Sequence, residues 1–445
     1  MTRCLDESDI MMADEGFTTR DLLDNLLLEL SQKGSRDAFF VADLEEVVKK
    51  HVRLLKALPR LKPFYALKCN GSKGVVQTLA GLGAGFSCAS KAEMALVKRL
   101  GVAPERILCT SPCKPASLIR YAASQGVQLM TFDSDVELGK VARSHPCARV
   151  LRESSSLECP TEGRGKRIFD PDPVSHALPF TCHCDKPANL CYSWDASFLI
   201  PQVASFSGAP FKVLSDGLGG PGSDYFPSPL RTLQTAAVVS SALDLYFPEG
   251  CGVEIVAELG RYYVDSAFTL VVNIVAKKEV PLDQPGSEDE DPGGKKSFLY
   301  HVNDGVYGSF GSVLFNNVCP TPVLLKKPPP DQPLHSSSVW GPTGDGLDRI
   351  VDGVELPELH LGDWLIFENM GAYTVPAPPS LGGGEQPAIY YTMSRVAWEA
   401  VQLLQGKVLH PEEEDRESTC APLSCGWEIT DTLCVAPVFT PASIM

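Results

Sequence analysis

A lysine ends the apolar run PFYALK, and this residue, Lys68, is the first candidate for covalent chemistry in the chain. Burial at the end of a strand can lower the pKa of a lysine, and the neutral amine can then capture an aldehyde as a Schiff base. Taken alone, however, a lysine at this position is more simply interpreted as a surface residue at a strand end. The chemistry of Lys68 therefore depends on what surrounds it.

A metal site is the second possibility that the residue types raise. Cys182, His183, Cys184 and Cys191 could be drawn as zinc ligands, but adjacent ligands lack the paired two-residue spacing of structural zinc sites. The acidic segment DQPGSEDEDPGGKK could hold calcium, but a charge run of this composition is typical of a solvated loop. We therefore expect no metal site.

Short apolar runs alternate with amphipathic stretches from Ala38 to about Arg149, which predicts βα units and a parallel sheet. From Glu254 onward the sequence is rich in β-type runs broken by Gly, Pro and acidic turns. We predict an α/β plus β protein: an N-terminal (β/α)8 TIM-like barrel and a C-terminal antiparallel β domain. The predicted boundaries are 1–37 for an N-terminal segment packing on the β domain, 38–265 for the barrel and 266–445 for the β domain.

Composition and charge limit the classes of protein to which this chain can belong. The 445 residues are 44% apolar and 21% charged, which is typical of a globular chain, and their length favours two domains. A net charge of −16 disfavours nucleic acid as a partner, because it repels a polyanion. The 15 cysteines are odd in number and follow no export signal, and no apolar run is long enough to cross a bilayer. We expect a soluble cytoplasmic protein with reduced thiols.

Lys68 gains a specific interpretation from its context. The segment PFYALKCN resembles the one in the eukaryotic ornithine decarboxylase family, pyridoxal-phosphate-dependent decarboxylases of group IV, whose lysine forms the Schiff base with the cofactor. The segment AELGRYYV resembles the one whose glutamate pairs with the pyridinium nitrogen and whose Gly-Arg pair meets the phosphate, which implies these roles for Glu258, Gly260 and Arg261. DGVYGSF, WGPTGDGLDRI and GDWLIFENMGAYTV follow in the family's order, and Tyr373 matches its phosphate-binding tyrosine. The resemblance implies an alanine-racemase-like barrel and a β-sandwich or β-barrel domain.

The same resemblance implies that catalysis has been lost. Gly344 stands where the family has the cysteine that protonates the quinonoid carbon, although its neighbour Asp345 is retained. Asn316 replaces the aspartate that binds the distal ammonium of the substrate, and Ser87 replaces another aspartate. We therefore expect no catalytic residue, a vestigial cofactor site and no bound pyridoxal phosphate.

The segment from about residue 153 to 235 departs most from the family. It is rich in Pro, Ser and Cys and shows no sustained period of helix or strand. The family's His-Gly-Ser-Gly motif is absent, and DGLGGPG resembles its Gly-rich phosphate-binding loop only weakly. We predict that this segment arose by alternative splicing or a frame shift, and that the barrel lacks several central βα units.

Within the family, the altered residues and the ending LSCGWEITDTLCVAPVFTPASIM resemble the antizyme inhibitors, the branch without enzyme activity. This implies binding to ornithine decarboxylase antizymes, release of ornithine decarboxylase from inhibition and degradation, and positive regulation of polyamine biosynthesis and uptake. It also implies a monomer, with perinuclear, Golgi or vesicle association. The alternatives are a working decarboxylase acting on ornithine or arginine in putrescine synthesis, and a nonfunctional isoform that does not unfold cooperatively.

A cationic region agrees with this partner. Residues 91 to 149 contain nine Lys or Arg against five Asp or Glu, a local charge of +4 within a chain of −16. Such a region can steer an acidic partner, although two ordinary solvated helix faces would look the same. The resemblance implies an antizyme-binding role for Lys114, Arg120, Glu137, Leu138 and Lys140.

Overall fold

The computed structural model describes residues 10–13, 18–111, 113–153, 190–195, 211–215, 229–251, 254–281, 296–316, 319–325, 328–375 and 386–404. These residues belong to one compact unit spanning 1–407. In this part of the chain, no helix is both long and apolar enough to cross a bilayer. The seven cysteines described with their side chains, Cys69, Cys88, Cys109, Cys113, Cys147, Cys251 and Cys319, are free thiols.

Eight parallel strands close into a barrel in the order β10-β3-β4-β5-β6-β7-β8-β9. They are β3 (Leu61–Ala66), β4 (Gly85–Cys88), β5 (Ile107–Cys109), β6 (Leu129–Phe132), β7 (Arg149–Glu153), β8 (Leu190–Asp195), β9 (Phe211–Ser215) and β10 (Glu254–Leu259). A barrel requires each strand to be followed by a segment that returns the chain to the same end. The described connections contain α3 (Lys73–Gly81), α4 (Lys91–Arg99), α5 (Ala116–Ser124), α6 (Asp135–Ser144) and α7 (Pro229–Tyr246).

Barrel closure corrects one sequence prediction. The expectation that several central units are missing is wrong for the strands, because β8 and β9 pair with each other, with β7 and with β10. The rest of the atypical segment, up to the start of α7, lies outside the described residues, as do Cys182, His183 and Cys184. Cys191 lies in β8.

Two of the barrel helices, α4 and α6, begin after a serine whose side chain caps the helix. Ser90 and Ser134 follow β4 and β6 and accept hydrogen bonds from Glu93 and Glu137, the third residues of α4 and α6. Such caps satisfy backbone N–H groups that a helix leaves unpaired at its start. The loops after β4 and β6 are thereby fixed up to the first residue of the next helix.

A nine-stranded mixed sheet forms the second half of the unit. It contains β1 (Ile10–Ala13), β2 (Phe39–Asp43), β11 (Phe268–Pro281), β12 (Lys296–Val302), β13 (Pro322–Leu324), β14 (Leu334–Trp340), β15 (Arg349–Pro357), β16 (Trp364–Phe367) and β17 (Ala388–Ser394). Most pairings are antiparallel, as predicted, but β1 with β17, β17 with β2, and β12 with β14 are parallel. β2 lies in this sheet, within the range 38–265 that the sequence assigned to the barrel.

The N-terminal helix α1 (Thr19–Gln32) covers one side of the sheet. Leu22, Leu23, Leu26 and Leu27 recur at helical spacing and are buried against Phe39, Val41, Val271 and Ile366. The apolar face of α1 is therefore satisfied within the unit. The remaining helices are α2 (Leu44–Ala57), α8 (Arg261–Val264), α9 (Gly311–Asn316) and α10 (Arg395–Leu404).

The barrel and the sheet meet closely at the start of α3. A Cβ atom on Gly74 would lie 2.4 Å from Cε1 of Tyr391 in β17, so only glycine leaves room for the ring. Asn70, in the loop before α3, donates from Nδ2 to the carbonyl of Gly371 at 2.9 Å. These contacts join the loop that carries Lys68 to the loop after β16.

Candidate functional site

Lys68 and Glu258 lie together at the carboxyl ends of β3 and β10, which are neighbours in the barrel. The Nζ atom of Lys68 is 3.8 Å from Oε1 of Glu258, and the two side chains are 56% and 12% exposed. The C-terminal ends of barrel strands are where barrel enzymes place their reactive groups. The two residues therefore form an ion pair at this end of the barrel.

Ser87 completes a hydrogen-bonded row beside this ion pair. Its hydroxyl donates to Oε1 of Glu258 at 2.7 Å and lies 2.7 Å from the hydroxyl of Thr110. Because the single hydroxyl hydrogen of Ser87 goes to Glu258, Thr110 must be the donor to Ser87. Sequence reasoning missed Thr110, although its position directly after β5 was the available signal.

Arg261 and Tyr373 form the second part of the site. The guanidinium carbon of Arg261 lies 5.1 Å from the centre of the Tyr373 ring, within cation–π distance. Arg261 also lies 3.7 Å from the carboxylate of Asp265, whose pKa is raised by burial despite this neighbour. Gly260 immediately precedes α8, so the backbone turns there from β10 to the helix that carries Arg261.

Tyr373 has a backbone φ of 61°, a conformation that residues other than glycine rarely adopt. Its N–H donates to the carbonyl of Cys69 at 2.9 Å, and the neighbouring Gly371 accepts from Asn70. These bonds hold the loop after β16 against the loop after β3. The strained conformation is thus imposed by contacts with the barrel, as is common where a side chain must be presented at a site.

A pyridoxal ring between Lys68 and Glu258 would require these two side chains to separate. In the roles that the resemblance implies, the lysine would hold the aldehyde end of the ring and the glutamate its nitrogen, so the ring would separate them. Here the amine and the carboxylate are only 3.8 Å apart, and the carboxylate also accepts from Ser87. Arg261 and Tyr373 remain adjacent, and a ring between Lys68 and Glu258 would require the exposed lysine side chain to turn away from the carboxylate.

Gly344 and Asp345 belong to the loop between β14 and β15. Gly344 is exposed, has a φ of +71° and would have open space around a Cβ atom. Asp345 accepts a hydrogen bond from the Tyr307 hydroxyl at 2.6 Å, which lowers the pKa of the carboxyl and raises that of the phenol. Asn316 is the last residue of α9.

Buried Asp348 holds the loop between β14 and β15 in place through hydrogen bonds. Its buried carboxylate accepts from the N–H of Val306 at 2.8 Å and from both the N–H and the hydroxyl of Thr343, at 3.0 and 2.6 Å. It therefore ties the loop after β12 to the loop after β14. Asp345 therefore lies on a turn held by hydrogen bonds, and Gly344 offers neither a thiol nor another acidic proton.

The residues predicted to bind a partner fall into buried and accessible groups. The Nζ atom of Lys114 lies 3.0 Å from Oε1 of Glu137, with side-chain exposures of 0% and 3%. The backbone N–H of Lys114 also donates to Oε1 of Glu137 at 3.0 Å, and Nζ donates to the carbonyls of Ser111 and Thr131. Lys114 and Glu137 are therefore internal residues, which their charge in the sequence did not indicate.

Lys140 and Arg120 are the accessible members of the same set. Lys140 Nζ lies 2.5 Å from Oε2 of Glu137 with its side chain 32% exposed, and Arg120 is exposed on α5. Leu138 is half-buried and packs against the main core. Burial would raise the pKa of Glu137, but hydrogen bonds from Lys140 and Lys114 outweigh this and lower it. A charged Glu137 thus joins the loop before α5 to α6.

Comparison with known proteins places this fold in one class. Residues 44–161 match the family described as pyridoxal-dependent decarboxylase, pyridoxal binding domain. The arginine decarboxylase of Paramecium bursaria Chlorella virus superposes with a TM-score of 0.65 at 24% identity, covering 84% of this chain and 100% of that one. A lysine decarboxylase from Selenomonas ruminantium gives 0.65 at 22%, covering 85% and 98%. The barrel and mixed sheet are therefore those of the pyridoxal-dependent decarboxylases.

Full-length relatives define the family more narrowly. The chain is 50% identical to antizyme inhibitor 2 of Homo sapiens and 49% identical to that of Xenopus laevis, with 100% and 99% of both chains covered. It is 46% identical to ornithine decarboxylase of Mus musculus, covering 95% of each chain. The chain belongs to the ornithine decarboxylase family, whose members include the antizyme inhibitors.

Proposed function

We propose that this chain binds ornithine decarboxylase antizyme, and so frees ornithine decarboxylase from inhibition and degradation and raises polyamine synthesis and uptake. Support comes from the names of the relatives that match over the full chain. The observation that carries the proposal is this match, at 50% identity to antizyme inhibitor 2 of Homo sapiens over 100% of both chains. Gly344 adds to it, because glycine has no side-chain proton to give.

The accessible cations of α5 and α6 provide the proposed recognition surface. Arg120 and Lys140 face solvent within the region of local positive charge, while the whole chain carries −16. Such a surface accelerates association with an acidic partner and suppresses association with a basic one. Lys114 and Glu137 contribute by fixing the helices that present these cations.

The test is capture of purified antizyme by the purified chain. Arg120→Glu combined with Lys140→Glu should weaken binding by roughly tenfold or more, about 1.4 kcal/mol for each factor of ten. The control is Lys296→Glu, which reverses an exposed cation on β12 of the mixed sheet and should leave binding unchanged. Equal binding by both variants would remove this surface from the proposal.

A functional assay addresses the regulatory role directly. Ornithine decarboxylase inhibited by antizyme should recover its activity when the chain is added in stoichiometric amounts. Failure of recovery at concentrations that saturate antizyme binding would show that binding does not displace the enzyme.

The second candidate function is a pyridoxal-phosphate-dependent decarboxylase acting on ornithine or arginine. The retained residues Lys68, Glu258, Arg261 and Tyr373 favour it. Release of labelled carbon dioxide from either amino acid by the pure chain, with pyridoxal phosphate added, would decide for this alternative. We propose that neither substrate is turned over and that no cofactor is held.

The expected assembly and location follow the same proposal. We propose a monomer in the cytoplasm, with perinuclear, Golgi or vesicle association through a partner. Sedimentation of the pure chain and imaging of the tagged chain in cells test these two statements separately.

A further inference from the structure

An acidic cavity lies at the mixed sheet, away from the strand ends of the barrel. Its volume is about 400 Å³, within the range typical of small-molecule sites. It is bordered by the end of α1, the start of β2, the loops after β12 and β14, and the start of β17. The described residues that line it include three acids, Asp37, Asp304 and Asp348, and no Lys, Arg or His. The cavity is therefore a place of concentrated negative charge.

Asp304 is the acid whose charge is least compensated. It is only 9% exposed. Its Oδ1 atom accepts from the N–H groups of Gly305 and Ser309 at 2.7 and 3.1 Å, but Oδ2 has no hydrogen-bond partner among the described residues. A buried carboxylate oxygen without a donor is unfavourable, because burial removes water and supplies nothing in its place. The Oδ2 atom is thus an acceptor that a bound donor would satisfy.

Asp348 adds a second buried carboxylate to the same cavity. A Cβ atom on Gly305 would lie 2.2 Å from Oδ1 of Asp348, and one on Gly308 would lie 2.1 Å from Oδ1 of Asp304, so glycine leaves room for both acids. Burial raises the pKa of Asp304 and the charge of Asp348 raises it further, against backbone hydrogen bonds from Ser309 and Gly305 that lower it. A cation bound in the cavity would offset both the burial and the repulsion.

The composition of the walls favours an organic cation over a metal ion. Among the described residues, no three Asp, Glu, His or Cys side chains are grouped closely enough to hold a metal ion. Leu30, Phe39 and Tyr390 provide an apolar wall, on which the two rings pack edge to face with centres 5.7 Å apart. Asp37 is exposed and borders the same cavity. Methylene groups pack on such a wall, and ammonium groups donate hydrogen bonds to carboxylates.

We propose that the acidic cavity binds a linear aliphatic polyamine, with one ammonium group at Asp304 and a second at Asp37. The net charge of −16 adds a long-range attraction for such a polycation. This inference goes beyond the proposed function and does not depend on it, because no residue that lines the cavity belongs to the cationic region from 91 to 149.

The test is calorimetric titration of the pure full-length chain with spermidine, at an ionic strength of about 0.1 M so that non-specific attraction is screened. We expect one spermidine to bind per chain. Asp304→Asn keeps the shape of the side chain and an oxygen for the two N–H groups, and it should weaken binding roughly tenfold or more. The matched control is Asp331→Asn, which removes an exposed carboxylate outside the cavity and should stay within about twofold of the unchanged chain.

Thermal unfolding of the same proteins distinguishes binding from a merely structural role. Without spermidine, Asp304→Asn should melt at the same temperature as the unchanged chain or higher, because it removes a buried charge. It should nevertheless lose most of the stabilisation that spermidine gives to the unchanged chain. Loss of structural integrity alone would lower the melting temperature under both conditions.

Asp37→Asn is a second variant, at an exposed position where a substitution is well tolerated. It should weaken the binding of spermidine by about threefold, since the second ammonium group loses its carboxylate. The binding of butylamine, which has a single ammonium group, should stay within about twofold.

Equal binding of spermidine by Asp304→Asn and the unchanged chain, or equal losses in Asp304→Asn and Asp331→Asn, overturns the proposed site. Displacement of spermidine by an equal concentration of magnesium ions also overturns it, because the cavity would then select inorganic cations. Antizyme capture is measured separately, so either result leaves the proposed function in place, and failure of antizyme capture leaves the polyamine site in place.

Discussion

The ammonium group of Lys114 lies 3.0 Å from the carboxylate of Glu137, and both side chains are excluded from solvent. The pair connects the loop before α5 to the first turn of α6. Removing Lys114 leaves the buried carboxylate of Glu137 with the partly exposed Lys140 as its remaining cation among the described residues. The loss of a buried partner is far more costly than the loss of an exposed pair.

We therefore expect Lys114→Met to lower the free energy of unfolding by about 3 to 5 kcal/mol. Lys140→Met, which removes the partly exposed cation on the same carboxylate, should cost less than about 1 kcal/mol. Denaturant titration of the two variants measures the difference. A smaller loss for Lys114→Met than for Lys140→Met would contradict the buried pair, and Lys114→Met with Glu137→Leu should recover part of the loss.

His51 should make stability depend on pH in the mildly acidic range. Burial lowers its pKa from 6.5 to about 4, although a hydrogen bond to the backbone of Leu82 opposes the shift, and Nδ1 lies 3.0 Å from the Tyr263 hydroxyl. Below pH 6.5 the unfolded chain binds a proton at this residue and the folded chain does not, so stability falls as the pH is lowered towards 4. The loss from this group is on the order of 3 kcal/mol.

His51→Gln removes this titration while keeping a side chain capable of hydrogen bonding. Its free energy of unfolding should change less than that of the unchanged chain between pH 6.5 and pH 4. Parallel pH profiles for the two proteins would show that His51 is protonated equally in the folded and unfolded states.

Ser87→Asp tests the proposal that no cofactor is held. The substitution places a second carboxylate beside Glu258, which should raise the pKa of one of them and destabilise the fold by on the order of 2 to 4 kcal/mol. Ser87→Ala, which only removes the hydrogen bond, should cost about 1 kcal/mol. Thermal unfolding with and without pyridoxal phosphate is the measurement. We expect no difference between the two conditions, and stabilisation of Ser87→Asp by the cofactor would argue that the ring does bind there.

Gly344→Cys returns a thiol to the position where the family resemblance places a proton donor. The residue has a φ of +71°, so any side chain should cost about 1 to 2 kcal/mol, and Gly344→Ala is the control for this strain. We expect neither variant to release carbon dioxide from carboxyl-labelled ornithine, because Asn316 still stands where the resemblance implies the substrate-binding aspartate. Turnover by Gly344→Cys alone would identify the missing thiol as the sole defect.

The strands that carry Lys68 and Glu258 could be predicted from the sequence because their signals are local. Lys68 and Glu258 each end an apolar run, and parallel strand ends in a barrel meet at one edge, so their proximity follows from the strand assignment. The contact between Arg261 and Tyr373 could not be predicted from local signals alone. Tyr373 follows a strand of the mixed sheet, and its placement depends on the docking of two distant loops.

The burial of the charged side chains of Lys114 and Glu137 could not be predicted from the sequence. Lys114 and Glu137 are 23 residues apart and have the composition of solvated helix surfaces, and only the packing of α6 against the preceding loop excludes water from them. The strands β8 and β9 were missed for a different reason. Five or six residues in a segment rich in Pro, Ser and Cys give too little periodic signal, and their assignment depends on the hydrogen-bonding edges that β7 and β10 present.

Gly74 sets the clearance between α3 and the ring of Tyr391. An added methyl group would collide with this ring where the barrel packs against the mixed sheet. It would therefore push apart the loops that carry Lys68 and Tyr373. Lys68 of the barrel and Tyr373 of the mixed sheet are 305 residues apart in the chain. Their approach thus depends on glycine at residue 74, six residues after the lysine.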